Sequence, residues 1–266
     1  MMSDSDSSHD IFIPQTLLTH LGELRRRLMW CFVAMAIGTI GCYLYVTDIY
    51  SFLVQPLADA MGPGDTQRLI YTSLGEAFLA YIKVALFAGI FLTFPILATQ
   101  MWRFLAPGLY KAEKRVVLPF LIATPVLFFM GGAMVYYLIL PLALPFFLSF
   151  QSVDTALPIQ LEARVADYLE LVMTLVFAFG LCFQLPVVMM ALARFGQVTA
   201  QGMRRWRRYV LIIIFIIAAI VTPPDVISQT SLAIPMYLLY EITILLVAQM
   251  ERARASKALY DPPPPP

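Results

Sequence analysis

The sequence predicts an all-α integral membrane protein of six transmembrane helices with both termini on the cytoplasmic side. Three observations carry that prediction. The 266-residue chain is 60% hydrophobic and 13% charged, with a mean hydropathy of +0.78, far from the balance of a soluble domain. Its apolar residues fall into long runs parted by short polar segments, most of them long enough to cross a bilayer. Once six crossings are drawn, every Lys and Arg except Arg68, Arg164 and the intrahelical Lys83 falls on one face, which the positive-inside rule makes the cytoplasmic one.

Residues 1–15 read as a disordered, acidic, Ser-rich start. They lack a basic n-region, so the first apolar run is expected to stay as a true helix and not to be cleaved as a signal. Residues 11–28 mix charged and apolar residues as an interfacial helix opening near Pro14 does. The membrane domain spans residues 16–250. Its first helix is expected over residues 28–47, followed by a loop over 48–71 whose segment 49–57 is apolar enough to rest on the bilayer. Helix two covers 77–100. Helix three starts near Val116 and is expected to end near Leu140, ahead of Pro141 and Pro145. After a mixed loop over 151–167, helix four covers 168–193, interrupted at Gln184 and Pro186. A basic loop over 194–208 leads to an apolar hairpin over 209–250, broken at Pro223 and Pro224. The hairpin's first arm, 209–221, reaches only about 20 Å against a hydrocarbon core of roughly 30 Å, so it is short for a span. Residues 251–266 read as a solvated, Pro-rich tail.

The stretch 102–115 organises the chain. It is a polar connection between two long apolar runs, with Pro107-Gly108 as its turn and Trp102, Phe104 and Tyr110 suited to the headgroup level. Glu113 is the one acid among Arg103, Lys111, Lys114 and Arg115. A second lone acid, Glu23, stands beside Arg25, Arg26 and Arg27 at the mouth of the first apolar run. Two readings are open: the acids form a site together, or Glu23 pairs with Arg27 at i,i+4 and Glu113 is neutralised by its neighbours.

Ionisable or polar groups inside apolar runs are costly and so count as functional candidates. Lys83 lies near the outer end of helix two, where snorkelling accounts for it. Glu241 is nearer mid-helix and needs a partner or a wet cavity, and Gln184 poses the same demand without charge. Asp225 follows two prolines and precedes a helix, so it reads as a cap, with Gln229 one turn on able to share that face. Cys31, Cys42 and Cys182 have neither disulfide-framework nor metal-ligand spacing. His20 reads as interfacial. No nucleophile–base pair, metal set, phosphate loop or cofactor motif is visible, and nothing points to nucleic acid.

Four stretches, taken together, carry a resemblance. They are His20-Leu21-Gly22-Glu23-Leu24-Arg25-Arg26-Arg27, Pro95 with the run 100–115, Phe183-Gln184-Leu185-Pro186, and Thr222-Pro223-Pro224-Asp225 with Ser228-Gln229. In that order they resemble the TatC family, the multi-spanning receptor of twin-arginine protein translocation. The resemblance implies a concave, glove-like arrangement of six helices and no enzymatic activity. It implies a signal-peptide site in which Glu23 and Glu113 take two guanidinium groups and Phe104 lines the surface, with Leu24, Arg25, Pro107 and Tyr110 around them. It implies partner contacts at Gln184, Pro56, Asp225 and Gln229 for TatA-like and TatB-like single-span proteins, with membrane lipid and self-association in a larger complex. The cargo is folded precursors and the driving force the proton gradient. The family commonly has a glutamate where this chain has Gln184, so that contact lacks charge here. The alternative is a proton-coupled small-solute transporter with Lys83, Gln184 and Glu241 as a midplane site, though no repeat supports it.

Overall fold

A computed structural model of the chain describes residues 15–62, 69–105, 114–151, 162–221 and 226–260. These residues are helical almost throughout. The elements are α1 (Gln15–Leu44), α2 (Val46–Met61), α3 (Glu76–Leu105), α4 (Lys114–Met134), a π-helical turn (Val135–Ile139), α5 (Leu140–Leu148), α6 (Val165–Cys182), α7 (Leu185–Arg194), α8 (Ala200–Val221) and α9 (Val226–Tyr260). Five stretches are long and apolar enough to cross a membrane: Leu21–Leu44, Glu76–Phe104, Leu118–Leu148, Val165–Arg194 and Gln229–Ser256. The sixth predicted crossing corresponds to α8. Its basic first half leaves too short an apolar remainder to count among them.

Several boundaries differ from the sequence expectation, each for a visible reason. The interfacial segment and the first span are one helix, because no proline or other breaker lies between Gln15 and Leu44. The loop expected over 48–71 contains α2, a 16-residue amphipathic helix with Pro56 inside it. Pro56 has no N–H for the Phe52 carbonyl, and the Tyr136 hydroxyl donates to that carbonyl instead, at 2.8 Å. The Tyr168 hydroxyl donates to the Leu53 carbonyl at 2.9 Å. The Tyr136 hydroxyl therefore supplies what the proline removes, and the Tyr168 hydroxyl adds a bond from another span one residue on.

Helix three does not stop at Leu140. The π-helical turn holds an extra residue per turn just ahead of Pro141, and the proline enters at the first turn of α5, where its missing N–H matters least. The helical run so continues to Leu148. The basic stretch 194–208 is only partly loop: α8 opens at Ala200, so Arg204, Arg205, Arg207 and Arg208 ride on its first half. At the chain's far end α9 runs on to Tyr260. Arg254 holds it there, donating to the Ala193 carbonyl at 3.0 Å and the Arg194 carbonyl at 2.7 Å.

Glycine sets the closest helix contacts. A Cβ on Gly89 of α3 would lie 2.5 Å from the Thr39 amide nitrogen of α1, and one on Gly38 would meet the Gly89 carbonyl oxygen at 3.0 Å. α4 meets α6 the same way, with Gly131 against the Phe179 backbone and Gly180 beneath the fully buried Phe128 ring. Phe91 and Phe94 complete that contact from α3, their rings 5.0 Å and 3.6 Å from Phe128. A second buried cluster joins α7, α8 and α9 through Ala193, Met203, Tyr240, Ile244 and Val247. α1 is the exception, with only 6% of its apolar window buried.

Candidate signal-binding surface at the basic end

α1 and α3 run antiparallel. The end of α1 leads straight into α2, whose Tyr50 ring lies 5.6 Å from Tyr81 near the start of α3. From the Gly38–Gly89 crossing, Glu23 lies fifteen residues back along α1 and Phe104 fifteen residues on along α3. At 1.5 Å per residue each is about 22 Å from the crossing, so the two stand at one level of the bundle. The basic residues gather at this end: Arg25–Arg27, Arg103, and the starts of α4 and α8.

Trp102 fixes the end of α3. Its indole N–H donates to Thr124 Oγ1 of α4 at 2.8 Å, and its ring stacks on Phe120 at 5.6 Å. It is thus a tether as well as a headgroup-level aromatic. Phe104, half-buried, follows two residues later.

Glu23 is half-buried and pairs with Arg27 one turn on: Arg27 Nε donates to Glu23 Oε1 at 3.1 Å, and Arg27 Nη2 shares the same oxygen. Their side chains are 37% and 19% exposed, which places the pair at a rim and not in bulk solvent. The intrahelical pairing weighed from the sequence is therefore present. Both Arg27 nitrogens use one of the two Glu23 carboxylate oxygens. Leu24 and Arg25 are exposed. Successive helical residues turn by about 100°, which sets Arg25 on the side of α1 opposite Glu23. Glu113, Pro107, Tyr110 and Asp225 lie outside the described residues.

The other polar candidates do not converge. Lys83 pairs with Glu170 of α6 at 3.3 Å near the end of the bundle away from the basic residues. Glu170 was missed from the sequence. The signal was there: an acid and a base, each within two turns of the outer end of its span. Glu241 accepts from Arg207 Nη2 at 2.7 Å and from the Tyr237 hydroxyl at 3.0 Å, at the opposite end. Gln184 sits between them, so Lys83, Gln184 and Glu241 form no common midplane site. Pro56 is buried within α2. Gln229 donates to the Phe215 carbonyl at 3.0 Å and lines a hollow of about 410 Å³ with Leu211, Ile212, Phe215, Ile216 and Ala219. Among the described residues no cluster of three potential metal ligands exists.

Gln184 stands at the α6–α7 break. Its Nε2 donates to the Thr124 carbonyl at 3.1 Å and the Gly180 carbonyl at 3.2 Å, while its buried Oε1 has no partner among the described residues. The Thr124 bond ties the break to α4, and the Gly180 bond holds the side chain against the end of α6. Gln184→Leu is expected to cost about 1 kcal/mol, the size of an interhelical hydrogen bond in a membrane. Gln184→Glu is expected to cost more at neutral pH, because an ionised carboxylate has no donor for those two carbonyls and repels them. Burial beside carbonyls raises the folded-state pKa of the new acid, so its penalty is absent at low pH and grows as pH rises. Thermal unfolding of the purified variants at pH 5 and pH 8 reads both effects.

A family model described as Sec-independent protein translocase protein (TatC) matches residues 19–235. The chain belongs to the TatC family. Among named relatives it is 48% identical over 242 residues to the Sec-independent protein translocase protein TatC of Magnetococcus marinus, covering 91% of this chain and 87% of that one. It is 37% identical to the TatC protein of Escherichia coli strain K12 over 230 residues, 86% of this chain and 87% of the relative. A crystal structure of the twin-arginine translocase receptor TatC superposes with a TM-score of 0.74 at 35% identity, over 86% of this chain and 97% of that one. The expected all-helical membrane fold and translocase function stand with these relatives, which form a receptor family and not an enzyme family. The solute-transport alternative is set aside with them.

Proposed function

We propose that this TatC-family protein binds the Arg-Arg pair of twin-arginine signal peptides at the basic end of the bundle, which faces the cytoplasm of a bacterial inner membrane with both termini. The observation that carries the reading is the placement of Glu23, half-buried and already engaged by an arginine, at the level of Phe104 across the α1–α3 contact. An Arg side chain already docks on Glu23 through two nitrogens, which is the chemistry a signal-peptide arginine needs. Glu113, with Pro107 and Tyr110 in the adjoining loop, supplies the second carboxylate. Two planar guanidinium forks match two carboxylates in a way that lysine ammonium groups do not. At a half-buried rim each pair is worth more than the 0 to about 1 kcal/mol of an open-surface bridge.

TatA-like and TatB-like single-span partners, self-association and the proton gradient complete the reading, and folded precursors are the cargo. The unpaired buried Oε1 of Gln184 and the apolar hollow beside Gln229 support partner contacts there. Asp225 is assigned to a partner contact, and Pro56, buried, to shaping the α2 helix that a partner would meet. Photo-crosslinking from positions 23, 104 and 113 to signal peptides carrying Arg-Arg or Lys-Lys tests the site. Strong adducts are expected for the arginine peptide alone, and equal labelling of both peptides overturns the assignment.

A further inference from the structure

Of the three consecutive arginines on α1, Arg27 is turned to Glu23. Arg25 and Arg26 are exposed, and among the described residues neither has an acidic partner. They flank a notch of about 350 Å³ on the outer face of the helix, lined by Gly22, Arg25, Arg26, Met29, Trp30 and Val33. Gly22 keeps the notch open: a Cβ there would meet nothing within 4 Å. One and two turns deeper the wall is apolar and uncovered, with Met29 58%, Trp30 60% and Val33 43% exposed, continuing to Ile37 at 67%. At helical spacing all of these fall on one stripe. From Arg26 to Ile37 the stripe is about 16 Å long, close to the depth of one leaflet of a roughly 30 Å hydrocarbon core.

We infer that this stripe is a site for an anionic glycerophospholipid. The phosphate and the negative headgroup are held by Arg25 and Arg26 over the Gly22 notch, Trp30 lies at the headgroup boundary, and an acyl chain lies along Met29, Val33 and Ile37. Two unneutralised guanidinium groups directly above an apolar wall match the charge profile of a lipid, whose charge and chain are covalently joined. A second copy of the chain docked on this stripe by two-fold symmetry would set the arginines against themselves, which disfavours that occupant. Arg25 points to the side of α1 opposite Glu23, whereas Arg26 and Trp30 lie within about 60° of it, so the lipid site borders the proposed signal surface. The lipid would brace a helix that the rest of the bundle covers only at 6% of its apolar window.

Native mass spectrometry of the detergent-solubilised full-length protein, titrated with dioleoylphosphatidylglycerol or dioleoylphosphatidylcholine, tests this. The glycerol lipid is expected to be retained, and the choline lipid to be lost at low collision energy. At about 1 kcal/mol per arginine, the double variant Arg25→Gln/Arg26→Gln is expected to lower retention of the anionic lipid by about tenfold or more. Gly22→Leu keeps both charges but fills the notch, and is expected to lower retention severalfold with no fall in melting temperature. Equal retention of the two lipids, or unchanged retention in both variants, overturns the proposal. Displacement of the lipid by millimolar inorganic phosphate would overturn it in favour of a plain anion site. A dimer mass lost in Gly22→Leu would overturn it in favour of self-association.

Discussion

Replacing Glu23 and Glu113 together by glutamine is expected to lower affinity for an Arg-Arg signal peptide by at least about a hundredfold. Each charge-assisted pair contributes about 1.5–3 kcal/mol, and every 1.4 kcal/mol is a factor of ten. Glutamine keeps the side-chain volume and one acceptor oxygen but loses the charge and the matched pair of acceptors. Fluorescence anisotropy with a labelled peptide reads the affinity, and export of a twin-arginine precursor reads the consequence. The single variant Glu23→Gln should lose less, because it also frees Arg27 from its present partner. Its stability should fall by about 1 kcal/mol or somewhat more, because this i,i+4 pair sits at a half-buried rim. Binding of a Lys-Lys peptide, already weak, should change little. Wild-type export by the double variant would refute the two-carboxylate site.

Gly89→Val is expected to damage the scaffold and the site at once. A Cβ on residue 89 would lie 2.5 Å from the Thr39 nitrogen, and 2.6 Å from both its Cα and its Oγ1. Two of those three atoms are backbone, so no side-chain rotation relieves the overlap and α1 must move off α3. Overpacking of this kind costs about 1–3 kcal/mol, and more where backbone is the obstacle. Because the same crossing sets Glu23 level with Phe104, peptide affinity should fall with stability. Gly41→Ala is the control: it lies on the partner helix α1, close to the crossing, with nothing within 4 Å of its added Cβ, and is expected to be neutral or stabilising by up to about 1 kcal/mol. Thermal unfolding and peptide anisotropy on both variants decide it. A Gly89→Val protein that melts and binds like wild type would show that the crossing positions nothing.

The helical spans were legible because a bilayer leaves long apolar runs few alternatives to helix. The break at Gln184 and Pro186 was legible for the local reason that proline removes a helix hydrogen bond. Helix ends at proline were read less well. Leu140 was expected to terminate the third span, and Pro56 to lie in a loop, because proline's cost was counted without the groups that offset it. A π-helical turn offsets it at Pro141 and the Tyr136 hydroxyl at Pro56, the latter a neighbour distant in the chain. Long-range partners explain the other misses too: Glu170 for Lys83, Arg207 for Glu241 and Thr124 for Gln184. Each splits off one member of what could be read as a single polar hollow.

By itself, the order of residues determined that this chain is a bundle of membrane helices, which residues are basic at one end, and which acids stand alone among those bases. Those follow from hydrophobicity, charge and local backbone preference, all properties of single residues or short windows. Only the tertiary structure decided that Glu23 is engaged by Arg27, that Arg25 faces the other way, and that a glycine crossing sets α1 against α3. Such matters depend on helix rotation and on distances between segments far apart in the chain, where a difference of a few ångströms separates contact from clash.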